Sequence, residues 1–151
     1  CLTAGDLTSA NKMLGYPYFI LGKVEQGKQL GRQIGFPTAN IACCEGWKQI
    51  PQDGVYAVNV QWNGEEFGGM LNIGTRPTVE NTGKKSIEVH LFDHSSDLYG
   101  EELKVSFIRR LRDEMRFNNL EELRLQLEKD KENALIALKQ YHIHELLSKR
   151  I

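Results

Sequence analysis

Residues 31–40 have the sequence GRQIGFPTAN, in which two glycines precede a proline corner and the start of a predicted strand. The glycines permit backbone conformations that side chains forbid, and they let a ligand approach the chain closely. Pro37 fixes its own φ and biases the residue before it toward extended geometry. The segment is therefore expected to be a flexible loop that ends abruptly where a strand begins.

Thr38 and Asn40 alternate along that predicted strand, which places their side chains on one face. A hydroxyl and an amide carbonyl are neutral hard-oxygen donors. Mg²⁺ takes few protein oxygens and completes its shell with water and substrate phosphates. The pattern therefore predicts a corner that binds phosphate and metal. A second interpretation stays open, in which the segment is a tight turn whose polar side chains bond nearby backbone.

The composition is that of an ordinary globular domain. The 151 residues suit one domain with a proper core, and hydrophobic and charged residues make up 40% and 26% of them. The net charge of −1 argues against nucleic acid as a partner. No apolar run approaches the roughly 20 residues that cross a bilayer, and no signal-peptide pattern begins the sequence. Three cysteines, of which Cys43 and Cys44 are adjacent, predict reduced thiols and a cytoplasmic location.

Short strands separated by turn signals predict a small antiparallel barrel. Asn63-Gly64 is the strongest hairpin signal, and Gly68-Gly69 in the return strand predicts a bulge or close packing. The last strand should place Leu103, Val105, Phe107 and, at its end, Arg109 on one face. The predicted strands after residue 15 are Tyr18–Val24, Thr38–Asn40, Gly54–Trp62, Glu66–Ile73, Ser86–Phe92 and Glu102–Arg110.

The final third of the chain is predicted to be helical. Asn119 and Glu122 resemble a capping box at its start. Lys131 interrupts the apolar stripe, so the helix is expected to break or fray before Ile151. We expect the stripe to pack on the barrel rather than on a partner helix. Its members are Leu120, Leu123, Leu127, Ala134, Leu138 and Tyr141.

The segment Gly22–Gln29 comes close to a nucleotide-binding P-loop. A P-loop needs Ser or Thr after its lysine and a helix directly downstream. Gln29 stands where that hydroxyl is needed, and Gly31, Gly35 and Pro37 would break the helix. We therefore reject a P-loop and predict a flap whose backbone N–H groups wrap a phosphate chain.

Six ordered sequence blocks resemble those of the riboflavin kinases, and the match is closest to the C-terminal kinase module of bacterial bifunctional riboflavin kinase/FMN adenylyltransferase (FAD synthetase). The resemblance implies a six-stranded antiparallel Greek-key barrel with a C-terminal helix packed on it. It also implies ATP-dependent phosphorylation of riboflavin to FMN with Mg²⁺. The blocks are GRQIGFPTAN (31–40), GVY (54–56), NIGTRPT (72–78), EVH (88–90), DLYG (97–100) and RDE (112–114).

Glu88 is the candidate general base. It shares one strand face with His90 and Phe92, while Ile87 and Val89 take the other face. A glutamate on an outer strand face is most simply a solvated side chain, and the strand pattern alone leaves that interpretation open. The resemblance implies the catalytic role, because riboflavin kinases carry their catalytic glutamate in an E-x-H setting.

The resemblance assigns the other site residues in three groups. Thr38 and Asn40 would share Mg²⁺ with ATP. The nucleotide would be covered by Gly22, Lys23, Gly27, Gly31, Arg32, Gly35, Pro37, Thr38 and Asn40, and Lys84 and Lys85 could approach it. The flavin would be contacted by Tyr99, Arg112, Glu114 and Phe117. The alternative is that the segment before the helix is merely a charged connection, with Phe117 packed in the core.

Residues 1–14 resemble the end of a linker after a preceding FMN adenylyltransferase domain, and residues 15–151 would form the kinase domain. Its barrel would cover residues 15–112 and its helix residues 118–145. Tyr16 stands where the family usually has an arginine, which puts any contact of that arginine in doubt.

Two other functions fit the same residues. One is a non-catalytic flavin-binding regulatory barrel, and the other is a barrel module that binds protein or RNA. The expected partners of a riboflavin kinase are riboflavin and ATP, with no nucleic acid and no membrane.

Overall fold

The protein is described by a computed structural model that covers residues 12, 17–25, 38–43, 51–75, 85–92 and 98–148. The described part contains six strands and one long helix, in agreement with the predicted order of elements. These are β1 (Phe19–Glu25), β2 (Ala39–Cys43), β3 (Gly54–Trp62), β4 (Glu65–Thr75), β5 (Lys85–Leu91), β6 (Glu102–Arg112) and α1 (Leu120–Ser148).

The six strands form a closed barrel in the order β1-β2-β5-β4-β3-β6, and β6 pairs with β1 to close it. All the pairings are antiparallel. Strands β3, β4 and β5 are successive neighbours, and β2 lies beside β5, which is a Greek-key arrangement. The predicted fold class, a six-stranded antiparallel barrel with a C-terminal helix, is confirmed.

Alternation along the strands fills the barrel with apolar side chains, because successive residues point to opposite faces. Tyr56 and Phe107 are fully buried and meet edge to face, with ring centroids 5.2 Å apart. The Tyr56 hydroxyl donates to the Gln52 carbonyl at 2.5 Å, so its polar end is satisfied at the barrel rim. Around this pair the inner core includes Ile20, Val58, Val60, Leu71, Ile73, Val89, Leu103 and Val105.

The β3–β4 connection is the predicted hairpin turn. Asn63 and Gly64 have φ values of 52° and 80°, as a type I′ turn requires at both central residues. At Gly68 the close-packing alternative holds, since β4 keeps regular register with β3 through Gly68 and with β5 from Gly69 onward. A β-carbon on Gly68 would lie 2.8 Å from Cδ1 of Leu138, so the absent side chain makes room for the helix.

Irregularity occurs in β6 instead, where the pairing with β3 shifts register twice, beside Val55/Tyr56 and beside Ala57/Val58. Such bulges bend a strand and interrupt the inside–outside alternation. Leu103, Val105 and Phe107 point into the barrel as predicted, but Arg109 is exposed. The extra residue between Phe107 and Arg109, at the shift beside Ala57/Val58, is the reason that the simple alternation fails at Arg109.

The helix α1 packs on the outside of the barrel, against β3, β4 and β6. Its seam is a second apolar cluster formed by Ala57, Met70, Phe92, Ala134, Ala137 and Leu138. Asn119 caps the helix by accepting from the Glu122 N–H at 2.9 Å. The Glu122 carboxylate accepts from the N–H of Asn118 rather than that of Asn119, at 3.1 Å, so the predicted capping box is displaced by one residue.

Two details of the predicted stripe are wrong. Leu120 is 40% exposed. Lys131 does not interrupt the stripe, because it is exposed and the helix runs without a break from residue 120 to 148. The charged residue that does enter the stripe is Asp130, which is 1% exposed. Among the described residues, no helix has the length and apolar character needed to cross a membrane.

Candidate functional site

A cavity of about 230 Å³ lies between the outer face of the barrel, the first turns of α1 and the segment that joins β6 to α1. Its walls are largely apolar, with several polar side chains converging on them, which is the usual character of a small-molecule site. The lining residues are Thr38, Val55, Met70, Leu71, Asn72, Glu88, His90, Arg112, Glu114, Met115, Phe117, Leu123 and Leu127.

Strand register brings the polar side chains of three neighbouring strands into one row. Glu88 on β5 is the pairing partner of Asn40 on β2 and of Asn72 on β4. Residues directly opposite each other in antiparallel strands point to the same face, with β-carbons roughly 4.5–5.5 Å apart. Thr38 lies just before β2 and lines the same cavity as Glu88. A hydroxyl, two amides and a carboxylate therefore converge on one side of the barrel.

The alternation of β5 explains why Glu88 faces the cavity. Ile87, Val89 and Leu91 are buried in the barrel core. Glu88 and His90 consequently point outward, where both are half-buried. The predicted division of faces along this strand is what the structure has.

Arg112 is fixed at the end of β6 by contacts to all three of its guanidinium nitrogens. Nε donates to both carboxylate oxygens of Asp130, at 2.9 and 3.0 Å, and Nη2 donates to Oδ2 at 2.7 Å. Nη1 donates to the Asp113 carbonyl at 2.9 Å. The guanidinium carbon lies 5.9 Å from the centroid of the Phe117 ring. A cation and an aromatic ring therefore share one wall of the cavity.

Arg110 ties the segment after β6 to the rim of the barrel. Its Nη2 donates to the Asp53 carbonyl at 2.7 Å and forms an ion pair with Asp113 at 2.7 Å. Asp113 is exposed, so this ion pair contributes little energy, but the bond to the carbonyl holds the guanidinium at the start of β3. The segment therefore reaches Glu114 from an anchored strand end.

Glu114 extends toward the C-terminal end of β4. Its carboxylate lies against Gly74, and a β-carbon there would overlap Oε1. Burial of the carboxylate and the charge of Asp53 raise the pKa of Glu114, while a hydrogen bond with Asn72 acts in the opposite direction. Because Asn72 is also the partner of Glu88 in the strand register, it stands between two carboxylates of the cavity.

The described residues suit a metal that arrives with phosphate rather than one held by the protein alone. Within the described ranges, no group of three or more His, Cys, Asp or Glu side chains could hold a metal ion. The oxygens of Thr38 and Asn40 are neutral, and the only carboxylate in their row is that of Glu88. Such a donor set fits Mg²⁺ that keeps most of its ligands from water and substrate phosphates.

The cavity unites five of the predicted site residues, namely Thr38, Glu88, Arg112, Glu114 and Phe117, and Asn40 adjoins it through the register. Tyr99 does not line it and is 60% exposed, next to the Gly100 N–H that donates to the Val24 carbonyl at 3.0 Å. Lys23 is exposed on β1.

Gly22 has a structural reason to be glycine, because a β-carbon there would overlap the Ile41 side chain. Five predicted nucleotide contacts lie outside the described residues, as does Lys84, and the side chain of Lys85 is not described either. Those five are Gly27, Gly31, Arg32, Gly35 and Pro37.

Sequence reasoning did not assign a role to Asn72, His90, Met115 or Asp130. Asn72 and His90 lie inside the sequence blocks NIGTRPT (72–78) and EVH (88–90), which are the signal that points to them. Asp130 follows Leu127 by three residues and precedes Ala134 by four, which is the spacing of the apolar face. A charged residue at that spacing was the available signal.

Comparison with known proteins agrees with the fold. The flavokinase family model, described as riboflavin kinase, matches residues 14–138. The bifunctional riboflavin kinase/FMN adenylyltransferase of Bacillus subtilis is 45% identical over 136 residues, covering 89% of this chain and 43% of that protein. The chain therefore spans less than half the length of this curated relative.

Two solved structures share the fold. A crystal structure described as a macrolide-efflux protein from Streptococcus pneumoniae has a TM-score of 0.82 and 34% identity, over 87% of this chain and 42% of that one. The riboflavin kinase of Trypanosoma brucei has a TM-score of 0.57 and 25% identity, over 85% of this chain and 84% of that one. Since the family model covers the barrel and most of α1, this chain belongs to the riboflavin kinase family.

Proposed function

We propose that this chain transfers the γ-phosphoryl group of ATP to the 5′-hydroxyl of riboflavin, giving FMN and ADP. The observation that carries the proposal is the register that sets Glu88 opposite Asn40, with Thr38 and Glu88 in the wall of one cavity. Phosphoryl transfer needs a neutralised phosphate chain, an aligned hydroxyl and a group that accepts its proton. Glu88 offers the group that accepts the proton, and the oxygens of Thr38 and Asn40 beside it offer ligands for the metal that neutralises the phosphate chain.

In this proposal Glu88 is the general base. The oxygen of the riboflavin 5′-hydroxyl forms a bond to the γ-phosphorus, and the bond from that phosphorus to the oxygen bridging to the β-phosphate breaks. The electrons of the broken bond stay on ADP, and the hydroxyl proton moves to the Glu88 carboxylate. Thr38 and Asn40 would hold the Mg²⁺ of Mg-ATP through their neutral oxygens, and the ion would neutralise the charge of the phosphate chain.

The isoalloxazine ring would take the apolar part of the cavity. Met70, Met115 and Phe117 supply a wall for a flat ring, and Arg112 and Glu114 supply polar contacts at its edge. The cavity thus has an aromatic and apolar part next to the row that contains Glu88. Riboflavin has the same division, since its flat ring carries a polar ribityl chain that ends in the hydroxyl to be phosphorylated.

We assign only the kinase reaction to these 151 residues. The Bacillus subtilis relative is named as bifunctional, and this chain covers 43% of it. We propose that the native protein also has an FMN adenylyltransferase domain before Cys1.

The test is an assay of the wild-type chain with riboflavin, ATP and Mg²⁺ that follows FMN by chromatography and ADP by a coupled enzyme. Equal formation of FMN and ADP supports the proposal. Binding of riboflavin without either product would indicate the non-catalytic flavin-binding barrel instead. No binding of riboflavin at all would refute both.

The role of Glu88 is tested with Glu88→Gln, which keeps the size of the side chain and removes its basicity. We expect kcat to fall by roughly 100-fold or more, because general-base contributions are of that order, while riboflavin binding and the melting temperature stay near those of the wild type. Glu65→Gln, an exposed position in the β3–β4 hairpin region, is the matched control and should retain full activity. An unchanged kcat in Glu88→Gln would remove Glu88 from the mechanism.

A further inference from the structure

Asp130 is the one charged side chain that α1 buries among its described residues, at 1% exposure within the apolar face of the helix. Burying a carboxylate is costly unless it is paired and hydrogen-bonded. Asp130 has both kinds of compensation. Arg112 donates three hydrogen bonds to it, and Gln126, one helical turn earlier, donates from Nε2 to Oδ1 at 3.0 Å.

Only one partner of this ion pair lines the cavity. Asp130 itself does not line the cavity, whereas its partner Arg112 does. The two carboxylate oxygens occupy one edge of the guanidinium, and the Asp113 carbonyl takes a further N–H. A guanidinium has five N–H donors, so two remain for a ligand after these contacts. The carboxylate therefore decides which edge of Arg112 is presented to the cavity.

A role in stability alone would be served as well by apolar residues. Replacing a buried ion pair with well-packed hydrophobic side chains is often neutral or stabilising. The neighbourhood would accept such residues, because Leu127 and Ala134 flank Asp130 on the same face of α1. The orientation of Arg112 is what an apolar pair could not supply.

We propose that Asp130 is a positioning residue for the flavin substrate, which it serves by holding Arg112 in the orientation that contacts riboflavin. This inference rests on the proposed function. It makes the middle of α1 part of the substrate site, although no atom of Asp130 reaches the cavity wall. The carboxylate fixes the guanidinium, and the guanidinium with Phe117 forms the wall that meets the flavin.

The main test is Asp130→Asn, which preserves shape but replaces one accepting oxygen with a donor that faces the guanidinium. Riboflavin and ATP are varied separately in the kinase assay, and riboflavin binding is followed by quenching of its fluorescence. We expect the Kd and KM for riboflavin to rise roughly tenfold, as for loss of one well-placed hydrogen bond, with kcat and the KM for ATP within about threefold of the wild type.

A merely structural role gives a different pattern. It would lower the melting temperature and the active fraction, and hence the apparent kcat, while both KM values stayed at those of the wild type. That pattern would overturn the inference. Glu128→Gln is the control, since Glu128 is an exposed carboxylate on the same helix that pairs with Arg124. Glu128→Gln should leave the Kd and KM for riboflavin, the KM for ATP and kcat unchanged.

If Asp130→Asn does not fold, the double variant Arg112→Met with Asp130→Leu replaces the pair with apolar side chains. It should fold and retain the raised KM for riboflavin, whereas a KM equal to that of the wild type would refute the inference. A wild-type chain that fails to bind riboflavin would refute the proposed function itself. A wild-type chain that binds and phosphorylates riboflavin, with an Asp130→Asn KM that is unchanged, would refute this inference alone.

Discussion

Truncation of Leu138 to alanine tests the seam between the helix and the barrel. Leu138 is 6% exposed, and it packs with Ala57, Met70 and Phe92. Removing its isobutyl end loses the burial of that group and leaves a space, which together cost about 2–4 kcal/mol at comparable sites. For a domain of this size, 1 kcal/mol shifts Tm by about 2–4 °C, so we expect a decrease of about 5–15 °C.

The assays are thermal and urea unfolding followed by circular dichroism, with the kinase activity measured at low temperature on the same preparation. Leu138 does not line the cavity, so kcat and KM should stay near those of the wild type while the protein is folded. Leu146→Ala is the control, because Leu146 is 64% exposed and its truncation should change the unfolding free energy by less than about 0.5 kcal/mol.

The contact with Gly68 allows a stricter test. A β-carbon on Gly68 would lie 2.8 Å from Leu138 Cδ1, so Gly68→Ala should also destabilise the protein, through crowding. In the double variant the new methyl group enters the space that Leu138→Ala leaves. The loss should therefore be smaller than the sum of the two single losses, by about 0.5–3 kcal/mol. Strict additivity would refute this account of how α1 docks on β4.

Three further predictions concern the cavity. Asn40→Ala should raise the Mg²⁺ concentration needed for half-maximal kinase activity by roughly tenfold or more, and an unchanged Mg²⁺ titration would contradict its metal role. Gly74→Ala should displace the Glu114 carboxylate and raise the KM for riboflavin severalfold, while stability changes by only about 1 kcal/mol because a flexible side-chain end can move. Glu114→Gln should be more stable than the wild type at pH 7. The raised pKa of Glu114 means that the folded state disfavours its charge. The wild type therefore has its full stability below the ordinary pKa of 4.5, where Glu114 is protonated, and loses part of it as pH rises through the folded pKa. The advantage of the variant should therefore vanish in thermal melts below pH 4.5, and an advantage that does not depend on pH would contradict the assignment.

The strands and turns of this fold could be predicted because their signals are local. The alternation of β5 places Glu88 outward wherever the strand lies in the barrel, and Asn63-Gly64 specifies its turn without help from the rest of the chain. The cap at Asn119 is equally local. Each of these features depends on residues that are close in sequence, and the physical rule for each needs only that spacing.

The features that escaped prediction depend on pairing across the chain. Glu88 meets Asn40 and Asn72 only because closure of the barrel puts β5 between β2 and β4 with one specific register. Nothing in the alternation of a single strand fixes that register. Likewise the outward turn of Arg109 comes from bulges that exist only against β3. Alternation predicted that Thr38 and Asn40 share a face, whereas only the family resemblance predicted that Glu88 joins them.

Different turns of α1 contact the apolar seam and the cavity. Its middle and later turns place Ala134, Ala137 and Leu138 in the apolar seam, whereas its first turns place Leu123 and Leu127 over the cavity. Asp130 lies between these two parts, where a purely apolar stripe would have continued. Its carboxylate converts a covering helix into one that also orients a cavity side chain. Substitutions in the seam, at Ala137 or Leu138, should therefore mainly lower the free energy of unfolding. Substitution of Asp130 should mainly weaken the affinity for riboflavin.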